Sequence, residues 1–154
     1  MEERAFLRNC TRRLEFDSAH RVMRHESKCK NLHGHRYVVE ITAAGALDSL
    51  GRVIDFSVLK TAVGSWIDRN WDHGCIVNLE DKHLIALCRA NDWKCYLMPN
   101  NPTAENMASH LFEVANHILE GSGVCVSHVR LYETPNCWAD FGTKSGDHGE
   151  KLPG

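Results

Sequence analysis

Residues 35–47 read HRYVVEITAAGAL. Tyr37, Val39 and Ile41 recur at period 2, which places them on one face of a strand, and His33 and His35 fall on that same face at its start. Gly45 and residues 48–51 supply the turn that ends it. Upstream, residues 4–18 (RAFLRNCTRRLEFDS) carry scattered apolar positions with aromatic residues late in the run, and read as a second extended segment. Downstream the period changes. Phe56, Leu59, Val63 and Ile67 fall at helical spacing behind Asp55 as N-cap, which predicts a helix ending near Asn70. Residues 80–90 read as a minor helix and Tyr96–Met98 as a short strand. Thr103, preceded by Pro102, caps the best helix of the chain, with Met107, Leu111, Val114, Ala115 and Ile118 as its apolar stripe and Gly121 as its stop. Residues 124–133 alternate as a strand, and Cys137–Phe141 reads as a last short one.

Strands grouped in pairs with helices between the pairs predict an α+β fold, a four-stranded antiparallel sheet with two main helices inserted between the strand pairs. One domain is expected over 1–141, with a frayed glycine-rich tail over 142–154. Helices cover only one face of such a sheet. The other face then needs a cover, and oligomerisation is the simplest solution.

Composition narrows the function classes. The chain has 154 residues, 18 Lys+Arg against 20 Asp+Glu, and a net charge of −2. That balance carries no electrostatic footprint for nucleic acid or an anionic membrane. No apolar run reaches the ~20 residues of a membrane helix, and MEERAFLRNC has no apolar signal core. A cytoplasmic protein is expected. The unusual counts are 10 His and 7 Cys. An odd number of cysteines without an export signal argues for reduced thiols and against a disulfide framework.

The chemistry concentrates in residues 20–37, HRVMRHESKCKNLHGHRY. His33 and His35 project to one face of a strand start, and a hairpin would bring His20 opposite them. Three imidazoles suit zinc in an open arrangement, with the fourth position left for water or substrate. Gly34 permits a close backbone approach. Cys29, between Lys28 and Lys30, is compatible with a base, a nucleophile or a fourth ligand. As a ligand it would close the site into a purely structural centre, and spacing leaves both readings open. Asp72 and His73 are adjacent, so carboxylate and imidazole can orient each other for proton transfer, or they simply end a helix. Glu133 stands at a strand end, where a carboxylate binds substrate or is merely solvated. The six other cysteines form no paired motif and read as small buried residues.

Taken together, F-x-x-A-H (Phe16–His20), C-x-x-x-H-G-H (Cys29–His35), IDF (54–56), DH (72–73), NPTAEN (101–106) and ET (133–134) resemble the 6-pyruvoyl-tetrahydropterin synthase family, in family order, over roughly residues 5–141. The resemblance implies a tunnelling fold. Three subunits close a twelve-stranded barrel and two trimers stack into a homo-hexamer, with active sites at subunit interfaces. It implies zinc held by His20, His33 and His35, with Cys29 as general base. Asp72 and His73 become its partners from a neighbouring subunit, and Glu133 becomes the pterin anchor, with Thr103 and Glu105 assisting at the ring. The implied substrate is 7,8-dihydroneopterin triphosphate. NPTAEN is closer to the bacterial 6-carboxytetrahydropterin synthases of deazapurine and queuosine synthesis than to the animal 6-pyruvoyl enzymes. The stretch between Asn78 and Asn100 is longer than in compact bacterial members. A non-catalytic zinc-stabilised binding module remains the alternative of another class.

Overall fold

The computed structural model describes residues 8–143. Its frame is a long hairpin of β1 (Arg8–His20) and β2 (His33–Gly45). The strands pair antiparallel from Arg8 opposite Gly45 to His20 opposite His33. Alternation along this ladder decides which residues are inside. Phe16, Tyr37, Val39 and Ile41 are buried on one face, and Ser18 opposite His35, then His20 opposite His33, continue that same face to the strand ends.

After the hairpin, Asp55 accepts from Ser57 N and opens α1 (Phe56–Leu59). A π-helical turn (Lys60–Gly64) leads into α2 (Ser65–Asn70). Leu59, Val63 and Ile67 are buried as their spacing requires, whereas Phe56, at the exposed first turn, is 51% accessible and does not join the stripe. Then follow β3 (Gly74–Asn78), α3 (Lys82–Ala90), β4 (Cys95–Met98), α4 (Ala104–Ile118), β5 (Cys125–Thr134) and β6 (Cys137–Gly142). Met107, Leu111 and Ala115 of α4 enter the main core with Phe16, Tyr37 and Trp71. A smaller core joins β3 to α3 through Cys75, Val77, Leu84, Ile85 and Cys88.

The sheet corrects the four-stranded antiparallel expectation. It has six strands in the order β4-β3-β1-β2-β5-β6. The antiparallel part is β1-β2-β5-β6, and β3 and β4 extend it in parallel beyond β1. The stretch GCIVN shows no alternation because both its faces are covered: Cys75, Ile76, Val77 and Asn78 are all buried. A strand buried on two sides reads as a short apolar run, not a period-2 pattern.

The face of the sheet away from the helices differs in character from the core face. It is polar: Thr11 and Thr42 hydroxyls bond at 2.8 Å, and Arg36 reaches Glu15 at 2.9 Å and Asp17 at 2.7 Å. Farther along, Arg130 meets Asp140 at 2.7 Å, beside the Tyr132–Trp138 ring pair. The remaining cysteines are not all buried, since Cys125 and Cys137 are exposed. Gly142, the first residue of the expected tail, belongs to β6, and Thr143 N bonds to Ser127 O at 3.0 Å; residues 144–154 lie outside the described residues. Among the described residues no helix is long and apolar enough to cross a membrane.

Candidate active site

The hairpin register delivers three histidines to one point. The ligand atoms of His20, His33 and His35 all lie within 4.8 Å of one another, and the Nε2 atoms of His20 and His33 are 3.2 Å apart. His20 Nδ1 donates to the carbonyl of Pro102 at 2.7 Å, and His33 Nδ1 to that of Asn31 at 2.6 Å. A carbonyl oxygen can only accept, so both rings carry their proton on Nδ1 and present the Nε2 lone pair to the shared space. This backbone orientation of a ligand imidazole is the usual outer layer of a metal site. His35 Nε2 is buried without a hydrogen-bond partner. Burial, opposed by Glu133, lowers the proton affinity of His20 and His35, which keeps those rings neutral and able to ligate. Three imidazole nitrogens, one of them buried without a partner among the described residues, fit a divalent transition metal. Gly34 lies between His33 and His35 because a Cβ there would stand 3.1 Å from the Ser18 carbonyl oxygen.

The segment NPTAEN explains itself as the support of His20. Asn101 grips the backbone of Met23 at both N and O, 3.1 Å each, and accepts from Asn78 Nδ2 at 2.9 Å. Asn106 Nδ2 donates back to Asn101 O at 2.9 Å, and Thr103 Oγ1 accepts from Asn106 N at 3.2 Å as the cap of α4. The turn is thereby closed on itself with the Pro102 carbonyl facing His20. Nothing in residue type marks a backbone carbonyl, so this partner was not legible in the sequence.

Glu133 is not merely solvated. Its carboxylate oxygens stand 3.7 Å from His35 Nε2 and 3.9 Å from His20 Nε2. Tyr37, stacked on Phe16 with ring centroids 5.1 Å apart, closes the floor beneath His20 and His35. Burial, together with Glu133, raises its phenol well above the ordinary range, so it stays a neutral O–H. That hydroxyl is buried without a partner, a second unpaired polar atom beside the histidines.

Cys29 sits in a single 3-10 turn (Lys28–Lys30) of the loop joining the two ligand-bearing strands. Its carbonyl accepts from Val22 N at 2.9 Å. It is half-buried and is not a member of the three-histidine group. Glu105, in the first turn of α4, is exposed.

Asp72 and His73 occupy the turn between α2 and β3. His73 Nδ1 bonds to Asp72 Oδ2 at 2.8 Å, and Asp72 Oδ1 accepts from Asp17 N at 3.0 Å. The backbone of His73 is left-handed, φ 53°, a conformation held here by its N–H bond to Asp17 O at 2.7 Å. Partial burial pushes the Asp72 carboxyl up, but the Asp17 amide, the His73 ring and the Lys94 charge together hold it below the usual carboxylate range. The ligand atoms of Asp17, Asp72 and His73 cluster within 4.8 Å. Asp17 alternates with Phe16 and Ser18, so this pair lies on the opposite face of β1 from His20. Within one chain the pair and the three histidines are not brought together.

Known proteins of similar sequence and shape bear on this arrangement. A 6-carboxy-5,6,7,8-tetrahydropterin synthase of Rickettsia felis is 48% identical over 136 residues, covering 85% of this chain and 97% of its own. One of Haemophilus influenzae is 32% identical over 138 residues, covering 85% and 96%. Solved structures share the fold: an uncharacterized protein of Wolinella succinogenes at TM-score 0.78 and 22% identity, covering 90% of this chain and 99% of its own, and the 6-pyruvoyl tetrahydropterin synthase of Caenorhabditis elegans at 0.65 and 24%, covering 91% and 98%. The profile of one family, 6-pyruvoyl tetrahydropterin synthase, matches residues 9–144, a span that includes the β1–β2 hairpin, the Asp72–His73 turn and Glu133. This chain belongs to the 6-pyruvoyl tetrahydropterin synthase family.

Proposed function

We propose that the chain is a zinc-dependent lyase, a 6-carboxy-5,6,7,8-tetrahydropterin synthase that converts 7,8-dihydroneopterin triphosphate and water to 6-carboxytetrahydropterin, acetaldehyde and triphosphate. The observation that carries the reading is the meeting of three imidazoles, with the Glu133 carboxylate 3.7 Å from His35 Nε2 and 3.9 Å from His20 Nε2. The close similarity to the Rickettsia enzyme of that name selects the 6-carboxy product over the 6-pyruvoyl one.

His20, His33 and His35 hold the zinc. When bound, zinc supplies Lewis acidity to the side-chain hydroxyls of the substrate. Glu133 accepts paired hydrogen bonds from a pterin ring N–H and the exocyclic amino group. Thr103 and Glu105 flank the ring. Cys29, as thiolate, removes a carbon-bound proton, and its place outside the histidine group leaves it free to do so. The Asp72–His73 pair returns protons. The side chain is oxidised as the ring is reduced, so no external redox cofactor enters. A reduced, cytoplasmic setting suits the thiol.

The placement of Asp72–His73 and the histidines on opposite faces supports an interfacial site, completed by a neighbouring subunit. Three copies that close a twelve-stranded barrel through their antiparallel β1-β2-β5-β6 portions, and two such trimers stacked, give a homo-hexamer. A stable monomer in light scattering would overturn the assembly.

The activity is tested by incubating the zinc-loaded protein with 7,8-dihydroneopterin triphosphate. Release of acetaldehyde with a one-carbon side chain on the pterin is expected. A product that keeps three side-chain carbons would replace this reading by the 6-pyruvoyl one, and no conversion would remove both.

A further inference from the structure

We propose that Lys94, immediately before β4, is a positioning residue for the Asp72–His73 pair. The inference rests on the reading of that pair as the proton-returning group. Lys94 Nζ donates to the carbonyls of Asp68 at 2.8 Å and Asp72 at 2.5 Å. The second of these belongs to the peptide that joins Asp72 to His73. Both carbonyls lie past the last intrahelical acceptors of α2, where a cation is favoured.

The approach is built by the neighbouring residues. The Lys94 stem crosses directly over Gly74, where an added Cβ would stand 2.7 Å from Lys94 Cδ and 3.0 Å from Cγ. Its own carbonyl accepts from Cys75 N at 2.9 Å, so backbone and side chain of Lys94 grip the turn from one side. Asp17 grips it from the other, through its amide to Asp72 Oδ1 and its carbonyl to His73 N.

This double grip answers a specific problem. His73 is left-handed without being glycine, and its side chain is 76% exposed. A residue in that conformation relaxes by flipping the peptide before it, which here would swing the Asp72 carbonyl and turn the imidazole away. The ammonium bound to that carbonyl blocks the flip. Its charge also favours the Asp72 carboxylate that orients the His73 ring. The stretch 79–99 thereby gains a role: α3 and β4 form the scaffold that presents Lys94 to the turn. Asp92, itself left-handed at φ 55°, and Trp93 complete the wall of the cleft in which His73 lies.

The test uses the zinc-loaded full chain with 7,8-dihydroneopterin triphosphate and compares Lys94→Met, Lys94→Arg and His73→Gln. Lys94→Met is expected to lower kcat about tenfold or more while KM stays within about twofold, with zinc content unchanged. The acid limb of the kcat profile should move to higher pH, because losing a nearby cation raises the proton affinity of the pair. Lys94→Arg should restore most of kcat. If Lys94→Met does not fold, Lys94→Gln takes its place. Collapse in His73→Gln with wild-type kcat in Lys94→Met, or no recovery in Lys94→Arg, overturns the role of Lys94. Wild-type turnover in His73→Gln, or an inactive wild type, overturns the reading of the pair and the inference with it.

Discussion

His20 Nδ1 donates to the carbonyl oxygen of Pro102 at 2.7 Å, across 82 residues of chain. That one bond joins the end of the β1–β2 hairpin to the turn that opens α4, and sets which nitrogen His20 presents to its neighbours. Asn101 holds the turn by its bonds to Met23 and Asn78. Asn101→Ala should therefore weaken zinc binding by about 10-fold to 100-fold, as loss of outer-layer support commonly does, although Asn101 ligates nothing. Competition with a chromophoric chelator measures it, and unchanged affinity would show that His20 does not depend on this turn.

Cys29 lies in the loop between the ligand strands but outside the histidine group. Cys29→Ala should leave zinc content and Tm near wild type and lower turnover by about 10²-fold to 10⁴-fold, the usual contribution of general acid–base groups. Loss of zinc together with a large fall in Tm would instead make Cys29 a ligand and favour a structural centre.

Without metal the site should be acid-sensitive. Burial first of all lowers the folded proton affinity of His20 and His35 below the ordinary 6.5. As pH falls through that value the unfolded chain takes up protons before the folded one. Stability should then drop below pH 6.5 and keep dropping until the folded rings are protonated. The Tm of the chelator-treated protein at pH 7 and pH 5 reads this directly, and His35→Gln should flatten the slope. A Tm unchanged between those values would contradict the buried, neutral rings.

Arg21 follows His20 directly and donates to Asp81 through Nε and Nη2, both at 2.6 Å. Asp81 is 2% exposed and also caps α3 through Leu84 N at 3.1 Å. The Arg21 bond holds its carboxyl well below the usual range. Asp81→Ala removes cap and ion pair together and should cost about 2–4 kcal/mol, read in urea unfolding. Asp81→Asn, which can still cap, should cost less.

Much of the site was legible because its signals are side chains at fixed spacing. His33 and His35 share a face by period 2, and Asp55 and Thr103 announce their helices as caps. His20 could be placed only by assuming a hairpin, which the register from Arg8–Gly45 to His20–His33 bears out. What escaped has physical reasons. β3 is buried on both faces and shows no alternation. The charged rear face of the sheet is laced by ion pairs between the paired strands of the two hairpins, which depend on a register that spacing alone does not spell out. The partners of His20 and His33 are carbonyl oxygens, which every residue owns. Adjacency paired Asp72 with His73, but only their grouping with Asp17, which alternates with Ser18 on β1, shows that they face away from the histidines.

X-ray absorption at the zinc edge of the loaded protein tests the central claim most directly, that three imidazoles hold an open metal centre. Light-atom scattering alone is expected, with imidazole nitrogens at about 2.0–2.1 Å and a remaining position filled by oxygen. A sulfur at about 2.3 Å would place Cys29 on the metal, close the site and contradict the account.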